Sequence, residues 1–197
     1  ALVSALMLTV FQSQLVYFLM HGRLWLMIAT FAELALVFVA SSMAAKNSPA
    51  ALPVFLVYSV LNGFTLSFVV AFYTPGTVLS AFVSSALLFF VMAVIGIFTK
   101  KDLSGMGRAL MAALVGLIIA MVVNLFLANS FFDYMISIAM VLVFSGLIAW
   151  DNQKIRYVYE QSRGQVATGW IISMALSIYL DFINLFLSIL RIFGRND

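Results

Sequence analysis

Apolar runs of about twenty residues, the length of a bilayer-spanning helix, recur seven times along this chain. They occupy roughly 1–20, 24–43, 51–73, 78–99, 108–128, 133–152 and 168–191. The breaks between them carry turn and charge signals: HGR, AAKNSPA with Pro49, YTPGT, KKDLSGMG, ANSFFD and the longer NQKIRYVYEQSRGQVATG. Only 9% of the 197 residues are charged, against about 25% in a soluble domain. Mean hydropathy is +1.16. The pattern predicts an all-α integral membrane protein of seven transmembrane helices, one transmembrane domain over 1–197, with no separate soluble domain.

Composition excludes several chemistries. There is no cysteine, so disulfides, thiol catalysis and Cys-based metal sites are out. The single histidine, His21, cannot make a site of two or more histidines or serve a catalytic triad from a short loop. No GxSxG nucleophile elbow is present. The chain is read as a non-enzyme without a resident cofactor. The net charge of +3 speaks to membrane orientation and gives no reason to expect nucleic acid. Lys46, Lys100, Lys101, Arg108, Lys154, Arg156 and Arg163 fall on one side of the membrane; Arg23, Arg191 and Arg195 fall on the other. Basic residues accumulate on the cytoplasmic side, which predicts a cytoplasmic N-terminus and an external C-terminus in a bacterial plasma membrane. The chain starts at Ala1, inside an apolar run and without Met. It is read as lacking its natural N-terminus, and it shows no signal-peptide pattern.

The seventh run contains an aspartate, Asp181, between Leu180 and Phe182. A carboxylate in mid-bilayer costs about 2.5 kcal/mol or more on insertion scales and is tolerated where it faces a bundle interior or a water-filled cavity. The polar residues of this run are Ser173, Ser177, Asp181, Asn184, Ser188 and Arg191. At 100° per residue they fall within about 80° of arc. One face of this helix therefore avoids lipid. The serines read as close-packing positions and Asn184 as a helix-to-helix hydrogen-bonding residue. Asp181 reads as functional, because intramembrane acids mark ion paths and proton relays.

Two other acids share the membrane layer: Glu33, midway along the second run, and Asp151, near the inner end of the sixth. Neighbouring carboxyl groups can share a proton and titrate as a unit, and they suit Ca²⁺, which takes oxygen ligands. Asp133 reads as an N-cap or first-turn acid of the sixth helix. Asp102, Glu160 and Asp197 read as solvated, and Asn62 and Asn124 as packing amides.

WDNQKI together with SIYLDFINLFLSILRIFG resembles the signature region of the Bax inhibitor-1 family, in the short-loop style of its bacterial members. TKKDLS between the fourth and fifth runs and the glutamate of the second run also fit. The resemblance implies six helices around a central seventh and a pH-sensitive leak of Ca²⁺. It implies a di-aspartyl pH sensor at Asp151 and Asp181, which would also contact Ca²⁺ in passing. The ion path would run along Glu33, Asp181 and Asn184. Bacterial members can carry an arginine just past the second helix that pairs with the sixth-helix aspartate. Here that register holds Ala44 and Ala45, and Lys46 is the candidate latch base, without arginine's planar fork. The expected partners are the lipid bilayer, Ca²⁺ and protons, and the expected state is a monomer. Two rival readings remain: a regulatory scaffold that modulates a membrane protease, and a proton-coupled transporter using Glu33 and Asp181. The lack of an inverted repeat counts against the transporter.

Overall fold

Helices account for nearly all of the described backbone, because a chain in lipid must satisfy its peptide groups within each segment. The computed structural model describes residues 2–11 and 23–196. Its α-helices are α1 (Leu2–Thr9), α2 (Arg23–Ala45), α3 (Ala51–Val70), α4 (Pro75–Phe98), α5 (Ser104–Leu127), α6 (Ser130–Gln161) and α7 (Thr168–Phe193), followed by a 3₁₀ turn, Gly194–Asn196. Among the described residues there is no strand. The helices α2 to α7 each contain a stretch long and apolar enough to cross a membrane. The first expected span, 1–20, is not one continuous helix as far as it is described: α1 ends at Thr9, with a turn at Val10 and a bend at Phe11, and residues 12–22, His21 among them, lie outside the described residues.

The chain gathers into two compact units. The first comprises residues 1–74 and 167–176. Its helices pack through small residues, as membrane helices do. The Ser4 hydroxyl donates to the Gly63 carbonyl at 2.7 Å, and a Cβ on Gly63 would sit 2.9 Å from that of Val3. The turn after α2 closes with Asn47 in the left-handed region (φ 52°), a conformation Asn tolerates. The Asn47 side chain then accepts the Gly169 N–H at 2.7 Å. Ala44, Ala51 and Ile172 form a small core with Met43 and Phe55.

The second unit comprises residues 75–166 and 177–197. Pro75 occupies the first helical position of α4, where its missing N–H costs nothing. Asn129 caps α6, its side chain accepting the N–H groups of Phe131 and Phe132 at 3.0 and 3.1 Å. The reading of Asp133 is thereby refined: the cap is Asn129, and Asp133 is the first-turn acid. Gly96 and Gly107 have no room for a Cβ, which would run into the Ala149 backbone and the Trp150 ring respectively. Phe182 makes edge-to-face contacts with Phe82 and Phe89 at 6.0 and 5.6 Å between ring centroids. Outside these contacts the helices present apolar side chains outward, Phe126 being 86% exposed, as a lipid-facing surface would.

One expected boundary changes. The sixth helix was expected to end near residue 152, with a long loop after it. Instead α6 runs 32 residues to Gln161. NQKIRYVYEQ contains no Gly or Pro, and Arg156 and Glu160 pair across one turn at 3.6 Å, the spacing that supports a helix. The break comes at Arg163 and Gly164, both with positive φ.

Candidate functional site: buried carboxylates in the membrane layer

The extension of α6 sets the depth of Asp151. It lies ten residues before the helix ends at Gln161, about 15 Å at 1.5 Å per residue. Asp181 lies thirteen residues into α7, which starts at Thr168, about 20 Å by the same rise. The two carboxylates therefore stand at comparable depths from the end where α6 and α7 are joined. A sixth helix ending at 152 would have left Asp151 only about a turn deep.

Asp151 is 4% exposed and Asp181 6%. The Ser177 hydroxyl donates to Asp151 Oδ2. Ser177 is one turn before Asp181, so the α7 face that carries Asp181 is the face against Asp151. The two carboxylates are close enough for their charges to interact. The cation whose charge acts on Asp151 is Lys154, three residues further along α6. Asp181 differs in one respect: its Oδ2 is fully buried and has no hydrogen-bond partner among the described residues. Leaving a buried carboxylate oxygen unsatisfied costs free energy. Such an atom inside a membrane-spanning helix points to a group that exchanges a proton or meets a cation.

The rest of the α7 stripe divides as follows. Ser188 is buried and bonds its own helix through the Asn184 carbonyl at 2.7 Å. Asn184 turns its amide back onto the Leu180 carbonyl at 2.8 Å. Ser173, Ser177, Asn184 and Arg191 are half-buried.

Glu33 belongs to the first unit. Its carboxylate accepts from the Thr65 hydroxyl and, at 3.3 Å, from Asn62 Nδ2. Asn62 thus serves Glu33, as a packing amide can, and Thr65 is a partner that the sequence reading missed. Its signal was the i, i+3 spacing of Asn62 and Thr65, which places both on one side of α3. Lys46 lies exposed on the turn after α2, beside a shallow cleft lined by Phe38, Val39, Ser42, Met43 and Ser48.

Asp151, Asp181 and the Ser177 hydroxyl form an all-oxygen donor set, the type Ca²⁺ takes, but Ca²⁺ requires six to eight oxygens. Among the described residues no three acidic, His or Cys side chains cluster. The donor set suits a cation in passage more than one held in place.

Spanning helices with partnered and unpartnered acids at membrane depth define a polytopic α-helical membrane protein. The chain belongs to the Bax inhibitor-1 family: the family model described as "Inhibitor of apoptosis-promoting Bax1" matches residues 1–197. It is 55% identical over its whole length to an uncharacterized membrane protein of Streptococcus pyogenes serotype M1, covering 86% of that protein. It is 47% identical over 194 residues to the uncharacterized protein YrjE of Lactococcus lactis, covering 98% of this chain and 83% of that one. It is 40% identical over 181 residues to the inner membrane protein YbhL of Escherichia coli K12, covering 90% and 77% of the two chains.

Proposed function

We propose that this protein is a pH-sensitive Ca²⁺ leak channel of the bacterial plasma membrane, gated by Asp151 and Asp181. The observation that carries the reading is the buried, unpartnered Asp181 Oδ2 beside a second buried carboxylate. With one proton between them, the pair can hydrogen-bond and tie α6 to α7. With both ionised, they repel unless a cation sits between them. The pair titrates as a unit, with values that belong to the pair and not to either residue. Ser177 holds Asp151 in position, so the freer member of the pair is Asp181. Glu33, held by Asn62 and Thr65, and Asn184 are the further residues this reading assigns to cation passage. Ca²⁺ is cargo here, and no resident cofactor and no catalysis are invoked. The distribution of Lys and Arg supports a cytoplasmic start and an external end for this chain.

Ca²⁺ entry into dye-loaded proteoliposomes tests the reading. Vesicles with the protein should fill faster than empty ones, at a rate that changes with pH. Vesicles as tight as empty ones at every pH would refute the channel and leave a regulatory scaffold as the use of the same buried acids.

A further inference from the structure

At the end of the second unit where α4, α5 and α6 meet there is a cavity of about 550 Å³, lined by Lys100, Lys101, Asp102, Ser104, Trp150, Gln153, Lys154, Arg156 and Tyr157. Four of these side chains are cations and one is a carboxylate. The wall is fixed in place by α6. Gln153 Oε1 accepts the Leu103 N–H at 2.8 Å, and Gln153 Nε2 donates to the Lys101 carbonyl at 2.7 Å. Arg156 donates to the Ile97 carbonyl at the end of α4, a helix end where a cation is favoured. Arg156 is therefore committed to the wall, and Asp102 is committed to the Ser104 N–H at 2.8 Å. The three lysines are exposed and have no carboxylate ion pair among the described residues; Lys154 rests over the Trp150 ring at 5.6 Å.

We propose that this cavity binds the phosphate headgroup of an anionic membrane phospholipid, with Lys100, Lys101 and Lys154 as its cationic contacts. Its position is that of a headgroup. It opens where two membrane-crossing helices end, α4 at Phe98 and α5 at Ser104. Trp150 and Tyr157 supply the amphipathic aromatic rings that favour the membrane–water boundary. Phe98 and Met106 are exposed on either side of the loop and offer apolar surface to acyl chains. A basic pocket between transmembrane helices on the cytoplasmic side is the setting in which anionic headgroups are held. The site shares Lys154 with the surroundings of Asp151, on which that charge acts, but lipid binding there stands whether or not the protein conducts.

The test uses the full chain in phosphatidylcholine vesicles, with Trp25 and Trp170 replaced by Phe so that Trp150 alone reports. Phosphatidylglycerol brominated on its acyl chains should quench Trp150 more than an equal fraction of brominated phosphatidylcholine. Replacing Lys100, Lys101 and Lys154 with Gln should lower that preference by about fivefold per lysine. Arg163→Gln, the same loss of charge outside the cavity, should leave it nearly intact. Equal quenching by both lipids, or a preference that survives the triple replacement, would overturn the site. Loss of the preference on adding inorganic phosphate would also overturn it, since the pocket would then serve a soluble anion.

Discussion

A hydroxyl in a membrane helix has a default partner, the carbonyl one turn back. Ser85, Ser137, Ser145 and Ser188 all take it, donating to the carbonyls of Ala81, Asp133, Val141 and Asn184. Ser177 instead donates to Asp151, and the Thr65 hydroxyl reaches Glu33. Thr65 keeps its own helix within reach, the Asn62 carbonyl at 3.1 Å; which hydroxyls reach across to an acid depends on what stands opposite, which the sequence does not spell out. The acids were legible, because Asp151, Asp181 and Glu33 sit in runs where a charge is otherwise expensive. Glu33→Gln keeps the shape and the hydrogen-bonding capacity to Thr65 while removing the charge. It should lower Ca²⁺ flux into proteoliposomes at every pH and leave thermal stability nearly unchanged; wild-type flux would remove Glu33 from the path.

For α2 to α7, helix existence was legible from apolar run length, and most of their ends fell within a few residues of expectation. The exception, α6, shows why ends are harder. Most of its last ten residues are polar, and the absence of a breaker before Arg163 outweighs the polarity. Close approach was not legible either: Gly96 and Gly116 look alike in sequence. A Cβ at Gly96 would meet the Ala149 backbone, whereas one at Gly116 meets nothing within 4 Å. Gly96→Ala should destabilise the protein by about 1–3 kcal/mol by overpacking. Gly116→Ala should be neutral or stabilising by about 0.5–1 kcal/mol, since it removes glycine's freedom from a helix interior. Thermal unfolding in detergent distinguishes them, and equal effects would contradict the α4–α6 contact. The start of α5 carries a pH dependence. Asp102 is fully exposed, and hydrogen bonds from the Ser104 side chain and N–H hold its carboxyl below its ordinary value of 3.8. A depressed carboxyl stabilises its fold above the unfolded value and loses that contribution as pH falls through the folded one. Amide exchange at Ser104 should therefore stay protected at neutral pH and open only as pH falls below the ordinary carboxyl value. Asp102→Asn should remove that dependence.

At the scale of the molecule, the seven expected crossings and the bias of Lys and Arg together predict a direction. Because the chain has no cysteine, single cysteines report position without background. Lys101→Cys should react with a membrane-impermeant maleimide only from the cytoplasmic face, and Arg195→Cys only from outside; the reverse would invert the topology. The central claim is that Asp151 and Asp181 set the pH response of a cation leak. The most direct measurement is Ca²⁺ flux into dye-loaded proteoliposomes across the acidic-to-neutral range, comparing wild type with Asp151→Asn and Asp181→Asn. The expected result is a pH-dependent wild-type flux whose dependence flattens in both variants, with a larger effect at Asp181. A wild-type pH profile retained in both variants would contradict the claim.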